Sequence, residues 1–202
     1  MDTTRYVLGV MLIVGLPPAI LFWLLIHPLV GFWRKIRPTV AYSVLALAGI
    51  LVGALVFRYR GPWLGADLGT SPALICCGAV LYLFSAWISA LTQRQLPIKT
   101  FAGLPELSPQ NPGNILLQEG IFGVIRHPRY LSVIIGTAGF AMFVNYVGAY
   151  LTFLGSIPAL FLVIFFEERE LAARFGGPYE EYRARVPAMV PRVFKRSKPV
   201  GG

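Results

Sequence analysis

The sequence predicts an all-α integral membrane protein with about five transmembrane helices and a C-terminal amphipathic helical segment. The first observation is composition: 56% of the 202 residues are hydrophobic and 13% are charged, whereas soluble domains average about 25% charged residues. The second is that charged residues divide the apolar sequence into runs of about 20 residues, the length that crosses a membrane. The third is the one-sided distribution of Lys and Arg between these runs.

Three apolar runs in the N-terminal half each suit one membrane-spanning helix. The predicted spans cover residues 6–26, 39–57 and 72–91. Pro17 and Pro18 are expected to kink the first of them, which is tolerated where neighbouring helices satisfy the freed backbone groups. We therefore expect residues 1–91 to form an N-terminal three-span bundle.

The next apolar run, residues 131–166, carries no charge and is too long for one ordinary span. Asn145, Tyr146 and Gly148 lie near its middle and predict a turn between two short helices. The polar segment before it, residues 92–129, contains five prolines and is predicted to be mostly loop. Residues 92–202 are therefore expected to form a second unit made of a loop, a two-span hairpin and a C-terminal cap.

Five spans place 15 Lys and Arg residues on one side of the membrane and three, Arg5, Arg58 and Arg60, on the other. The positive-inside rule then predicts an external N-terminus and a cytoplasmic C-terminus. The net charge of +9 is explained by this topology, and it does not indicate nucleic-acid binding. Two adjacent cysteines and two histidines lack the spacing of a metal site.

Two polar clusters flank the predicted hairpin, one at residues 120–130 and one at residues 167–176. Because a hairpin returns the chain to the side from which it left, both clusters are expected at the same cytoplasmic surface. Glu167 and Glu168 directly follow the apolar run, where carboxylates are costly unless they are paired or used. We therefore expect them to have a cationic partner, either a protein residue or a ligand.

In these clusters the sequence resembles the isoprenylcysteine carboxyl methyltransferase family and its bacterial relatives, which also resemble phospholipid N-methyltransferases. The shared pattern is a glycine and an aromatic, Arg-His-Pro-x-Tyr, a helical hairpin, Glu-Glu-x-x-Leu, Phe-Gly-x-x-Tyr, a further Tyr and Val-Pro. The matching residues are Gly120, Phe122, Arg126, His127, Pro128, Tyr130, Glu167, Glu168, Leu171, Phe175, Gly176, Tyr179, Tyr182, Val186 and Pro187.

The resemblance implies an S-adenosylmethionine-dependent methyltransferase whose cytoplasmic-side cofactor pocket is capped by the C-terminal segment and open sideways to lipid. His127 and Tyr130 match family residues that hold the methionine end of the cofactor, and Glu167 matches a family glutamate that faces the cofactor. Phe122 stands where the family often has tyrosine. The implied cofactor-binding residues are Asn114, Leu116, Leu117, Phe122, His127, Tyr130 and Glu167.

The sequence pattern specifies the catalytic residues less well than the cofactor-binding residues. Arg126 is expected to hold the loop or a substrate anion, and Glu168 is the candidate base if the methyl acceptor arrives protonated. Prenylcysteine enzymes carry an arginine for the substrate carboxylate one helical turn before the cofactor glutamate, where this chain has Val163. This difference argues against a prenylcysteine and leaves a lipophilic or lipidated substrate of another kind.

The expected setting is a bacterial inner membrane, with membrane lipids as partners and a monomer or homodimer as the assembly. Two alternatives remain at this point: an NADPH-dependent membrane reductase of the sterol-reductase type, and a non-enzymatic membrane scaffold. Comparing the binding of NADPH and S-adenosylhomocysteine separates the three, since the scaffold binds neither.

Overall fold

The computed structural model describes residues 2–96 and 115–191, and these residues fold into helices without a β-strand beyond one isolated bridge. The predicted all-α class is confirmed. The helices are α1 (Asp2–Ile26), α2 (Val30–Trp33), α3 (Pro38–Arg58), α4 (Arg60–Leu64), α5 (Pro72–Gln93), α6 (Pro128–Val144), α7 (Val147–Phe175) and α8 (Gly177–Arg185), with a 3-10 turn at Gly120–Gly123.

Four helices, α1, α3, α5 and α7, are long and apolar enough to cross a membrane, and α6 is a shorter apolar helix. These five helices coincide with the five predicted spans, so the protein is an integral membrane protein. Ser71 caps α5 by accepting a hydrogen bond from Leu74 N, and Pro72 occupies the first turn, as expected for an N-terminal proline. The orientation of the termini and the division at residue 92 stay predictions.

The hairpin differs from its predicted form, because its two helices are unequal: α6 has 17 residues and α7 has 29. At 1.5 Å per residue, α7 is about 43 Å long, which exceeds the hydrocarbon core of about 30 Å. No helix breaker follows Phe166 until Gly176, whose φ of 59° ends the helix. Glu167 and Glu168 therefore lie on the same continuous helix that crosses the membrane, in turns near its end.

The hairpin turn lies at Asn145, as predicted, and Asn145 has a φ of 52°, a left-handed conformation that asparagine tolerates. Arg5 of α1 is buried beside this turn and donates from Nε to Val144 O at 3.0 Å. The same guanidinium donates to Thr70 Oγ1 at 3.0 Å and pairs with Asp67. These contacts fix the turn against α1 and against the segment between α4 and α5.

Helices α5 and α6 approach each other closely through Gly78 and Gly139. A Cβ added at Gly78 would lie 2.5 Å from Gly139 O, and one added at Gly139 would lie 2.6 Å from Gly78 O. Small residues allow such close backbone contact between membrane helices. Because His127 directly precedes α6, this contact also determines where the N-terminus of α6 stands.

We expect Gly78→Ala to destabilise the protein by about 1–3 kcal/mol, since overpacking forces the two backbones apart. Gly15→Ala on α1 is the matched control, because nothing lies within 4 Å of a Cβ at that position. Thermal unfolding of the purified protein in detergent measures both. Equal midpoints for the two variants would contradict the packing described.

Candidate functional site

His127 brings the two ends of the hairpin together. Its Nδ1 lies 3.6 Å from Glu167 Oε2, and its Nε2 lies 3.0 Å from Glu168 Oε1. The imidazole is buried, and it stands directly before Pro128 at the first turn of α6. The predicted convergence of the two polar clusters at one end of the hairpin is thus confirmed.

The two glutamates determine the protonation of His127. Burial disfavours the charged imidazole and by itself lowers the pKa, but the interactions of the ring with the Glu167 and Glu168 carboxylates outweigh burial. The pKa of His127 is therefore raised above its ordinary value. In the protonated form, one nitrogen faces each carboxylate, so the imidazolium bridges two neighbouring acids on α7.

Glu168 has several cationic partners within the protein. Arg126 Nε donates to Glu168 Oε1 at 3.1 Å, and Arg183 Nε lies 3.6 Å from Glu168 Oε2. Arg126 also donates to the carbonyl of Arg183 at 3.0 Å and to that of Val186. The Arg126–Glu168 pair therefore links α7 to the segment before α6 and to the end of α8.

The C-terminal cap, residues 177–191, is hydrogen-bonded to the backbone beside His127. Arg126 N donates to Pro187 O and His127 N donates to Ala188 O, both at 2.9 Å. Tyr182 donates its hydroxyl to Phe122 O at 2.7 Å. Burial raises the pKa of Tyr182 to about 12, so this phenol stays a proton donor. These hydrogen bonds hold the cap against the backbone of residues 122–127.

Glu167 is less well satisfied than Glu168. Its Oε2 is buried and has no hydrogen-bond partner among the described residues. Its ion pair with His127 is long, at 3.6 Å, and Tyr130 also interacts with the carboxylate. A buried carboxylate that is only partly compensated is costly. Glu167 therefore retains the capacity to face a further cation.

A cavity of about 60 Å³ adjoins Glu167. Five predicted site residues lie in its wall, and Trp23 and Arg129 add a cation–π pair whose guanidinium carbon is 4.1 Å from the ring centroid. Small-molecule pockets usually hold about 300–1,000 Å³, so this cavity admits only one end of a larger ligand. The lining residues are Trp23, Leu96, Phe122, Arg126, His127, Pro128, Arg129, Tyr130 and Glu167.

The remaining predicted residues stand elsewhere. Leu116 packs against the hydrophobic cluster of the cap that contains the buried Tyr179 and Tyr182. Leu117 is half-buried, and neither it nor Glu168 lines the cavity. Asn114 lies outside the described residues. Glu170 pairs with Arg174 at 3.6 Å.

Sequence reasoning missed Trp23 and Arg183. Trp23 belongs to the first span, where a single tryptophan at a helix end is typical of an interfacial anchor. Arg183 lies in a run of alternating charges on α8 that fits an ordinary solvated helix. No local pattern marks either residue, because Arg129, the partner of Trp23, is 106 positions away and Glu168, the partner of Arg183, is 15 positions away.

A family model described as phospholipid methyltransferase matches residues 73–177, slightly more than half of the chain. The chain belongs to the phospholipid methyltransferase family. The matched segment runs from α5 through α7 and includes His127, Tyr130, Glu167 and Glu168. The resemblance to membrane methyltransferases inferred from these motifs is therefore confirmed.

Two curated relatives share part of this segment. Methanethiol S-methyltransferase 2 of Bradyrhizobium diazoefficiens is 36% identical over 85 residues, which cover 39% of this chain and 29% of that protein. Protein-S-isoprenylcysteine O-methyltransferase of Schizosaccharomyces pombe is 33% identical over 87 residues, covering 43% of this chain and 37% of that protein. The match thus spans about a third of each relative. No solved structure matches the chain.

The raised pKa of His127 predicts a pH-dependent stability. The protonated imidazole contributes stability below its ordinary pKa of about 6.5, and this contribution is lost as pH rises through the raised value. We expect the thermal midpoint in detergent to fall over this range for the wild type, and to fall less for His127→Gln.

Glu181→Gln is the control for this experiment, because it replaces an exposed acid on α8 and should keep the wild-type slope. An unchanged slope in His127→Gln would show that the two glutamates do not stabilise the imidazolium.

Proposed function

We propose that the protein is a membrane methyltransferase that uses S-adenosylmethionine and acts on a lipophilic or membrane-associated acceptor. Membership in the phospholipid methyltransferase family supports a methyl transfer. The observation that carries the choice of site is the partly satisfied carboxylate of Glu167 in a cavity walled by aromatic rings. Arg126 and Arg129 also lie in this wall, but Arg126 is paired with Glu168 and Arg129 stacks on Trp23, so the Glu167 carboxylate is left to face a cationic group.

The residues present fit the charged end of this cofactor. When bound, S-adenosylmethionine supplies a methyl group carried on a positively charged sulfur. The sulfur becomes a neutral thioether when the methyl group is transferred. Glu167 offers a carboxylate to a sulfonium or ammonium group, and Tyr130 offers an aromatic ring that attracts cations. Phe122 closes the wall beside them. The faces of Trp23 are already occupied by Arg129 and His27.

His127 and the cap have a positioning role in this proposal. His127 fixes the Glu167 carboxylate, and its own backbone N–H is held by Ala188 O. The wider binding surface for the cofactor would include Leu116, Leu117 and Asn114, as the family resemblance implies. Rigid positioning matters because alignment of the reacting atoms can supply up to about 7–11 kcal/mol of the barrier.

Glu168 and Arg126 are assigned here as positioning residues. Glu168 stands among Arg126, His127 and Arg183, an arrangement that fits an organising anion better than a base. A base is required only when the acceptor arrives protonated. A lipophilic acceptor also agrees with an apolar cavity of about 690 Å³ between α1, α3, α4 and α7, whose wall includes Ile20, Leu24 and Ala159.

The family does not specify the acceptor atom, since the names of the two relatives specify a sulfur in one case and an oxygen in the other. Val163 is fully buried one turn before Glu167 and offers no charge to a substrate carboxylate. Incubating membranes with a methyl-labelled cofactor, and separating lipid, protein and small-molecule fractions, identifies the class of acceptor.

S-Adenosylhomocysteine is expected to bind the detergent-solubilised protein. His127→Ala and Glu167→Ala should each weaken binding at least tenfold, or about 1.4 kcal/mol. Isothermal titration calorimetry measures the affinities, and Glu181→Ala, at an exposed position on α8, is the control that should bind as wild type does.

Wild-type affinity in both site variants would refute the assignment. Binding of NADPH in place of S-adenosylhomocysteine would favour a reductase instead.

A further inference from the structure

A second polar cavity, of about 380 Å³, lies between the last turns of α7 and the segment that follows α1. The proposed methyl transfer uses none of its residues. Its wall is formed by His27, Pro28, Val30, Gly31, Arg34, Phe166, Arg169, Glu170, Ala173 and Arg174.

The charge in this wall is positive. Three arginines, Arg34, Arg169 and Arg174, stand against one carboxylate, Glu170, which leaves two positive charges in excess. Burial lowers the pKa of His27, so its imidazole is neutral and can still donate one hydrogen bond. A cavity of this composition favours an anion over a cation.

The hydrogen-bonding capacity of the wall is not used up by the protein. Glu170 Oε1 lies 3.3 Å from Arg34 Nη2 and 3.6 Å from Arg174 Nε. Arg174 Nε and Nη1 are nevertheless buried without a hydrogen-bond partner among the described residues, and so are both ring nitrogens of His27 and one acceptor, Glu170 Oε2.

His27 is 4% exposed and stacks on Trp23 with ring centroids 5.4 Å apart. Buried donors without acceptors are costly. An anion with several oxygens would satisfy them.

The cavity lies at the level where apolar helix gives way to polar sequence. Helix α1 ends at Ile26, and the apolar part of α7 ends at Phe166. In the short segment between α1 and α3, Leu29 is 43% exposed and Phe32 is 54% exposed, which suits contact with lipid. Phosphate groups of lipids occupy this level, just outside the hydrocarbon core.

We propose that this cavity binds a phosphate group, presented by the head group of an anionic amphiphile, with Arg34, Arg174 and His27 as donors. Bidentate contact from arginine is the usual mode of phosphate recognition. The site would anchor or select an amphiphile at the face of the membrane where the Glu167 cavity lies. It does not depend on a bound methyl donor.

The test compares two charge-matched double variants. Arg34→Gln with Arg174→Gln removes two donors of the cavity, whereas Lys35→Gln with Arg37→Gln removes two exposed neighbouring charges that do not line it. Short-chain phosphatidylglycerol and inorganic phosphate are titrated separately into the protein in non-ionic detergent. Tryptophan fluorescence, to which Trp23 beside His27 contributes, reports binding.

We expect phosphatidylglycerol to bind the wild type and the control equally, and the cavity variant at least tenfold more weakly. Inorganic phosphate that competes at similar concentrations would identify a small phosphate ligand at the same site, and its failure to compete would identify a lipid head group. The single variant Arg34→Gln, at a partly exposed position, should weaken binding at least threefold, and it serves if the double variant fails to fold.

Equal affinity in the wild type and the cavity variant, an equal loss in the control, or no binding of either probe to the wild type would overturn the proposal. S-Adenosylhomocysteine binding, measured on the same cavity variant, should stay within about twofold of wild type, or about 0.4 kcal/mol. The anion site and the cofactor site can therefore fail independently.

Discussion

The ion pairs from His127 and Arg126 to the glutamates of α7 join the two ends of a helical hairpin, and the site depends on them. Charged groups at the edge of the hydrocarbon region are tolerated when they are paired. Here the pairing is possible because α6 and α7 return the chain to one side of the membrane. The N-terminus of α6, the end of α7 and the cap are held together by Glu168 and its three partners.

The two adjacent glutamates differ in how completely the protein satisfies them. Glu168 is surrounded by cations and fixes neighbouring segments, whereas one oxygen of Glu167 remains buried without a hydrogen bond in the described part of the chain. Removing one partner of a buried charge pair usually costs several kcal/mol. This difference supports the division of roles proposed above, in which Glu168 organises the site and Glu167 faces a cationic ligand.

Much of this arrangement follows from local sequence. Apolar runs of spanning length predict the helices, and Asn145 predicts the hairpin turn, because few residues other than glycine adopt its left-handed conformation. The meeting of His127 with the glutamates then follows from topology alone. The unequal lengths of α6 and α7 were not predicted, since the uncharged run alone suggests two short spans on either side of Asn145. Trp23 and the backbone contacts of the cap arise from long-range packing, which leaves no periodic pattern in the sequence.

A double-mutant cycle tests the central claim most directly. S-Adenosylhomocysteine affinity would be measured for His127→Gln, Glu167→Gln and the variant carrying both changes. If the two side chains act on one shared ligand, the double variant should bind about as weakly as the weaker single variant, with a coupling energy of at least about 1 kcal/mol. Losses that simply add would contradict a shared site.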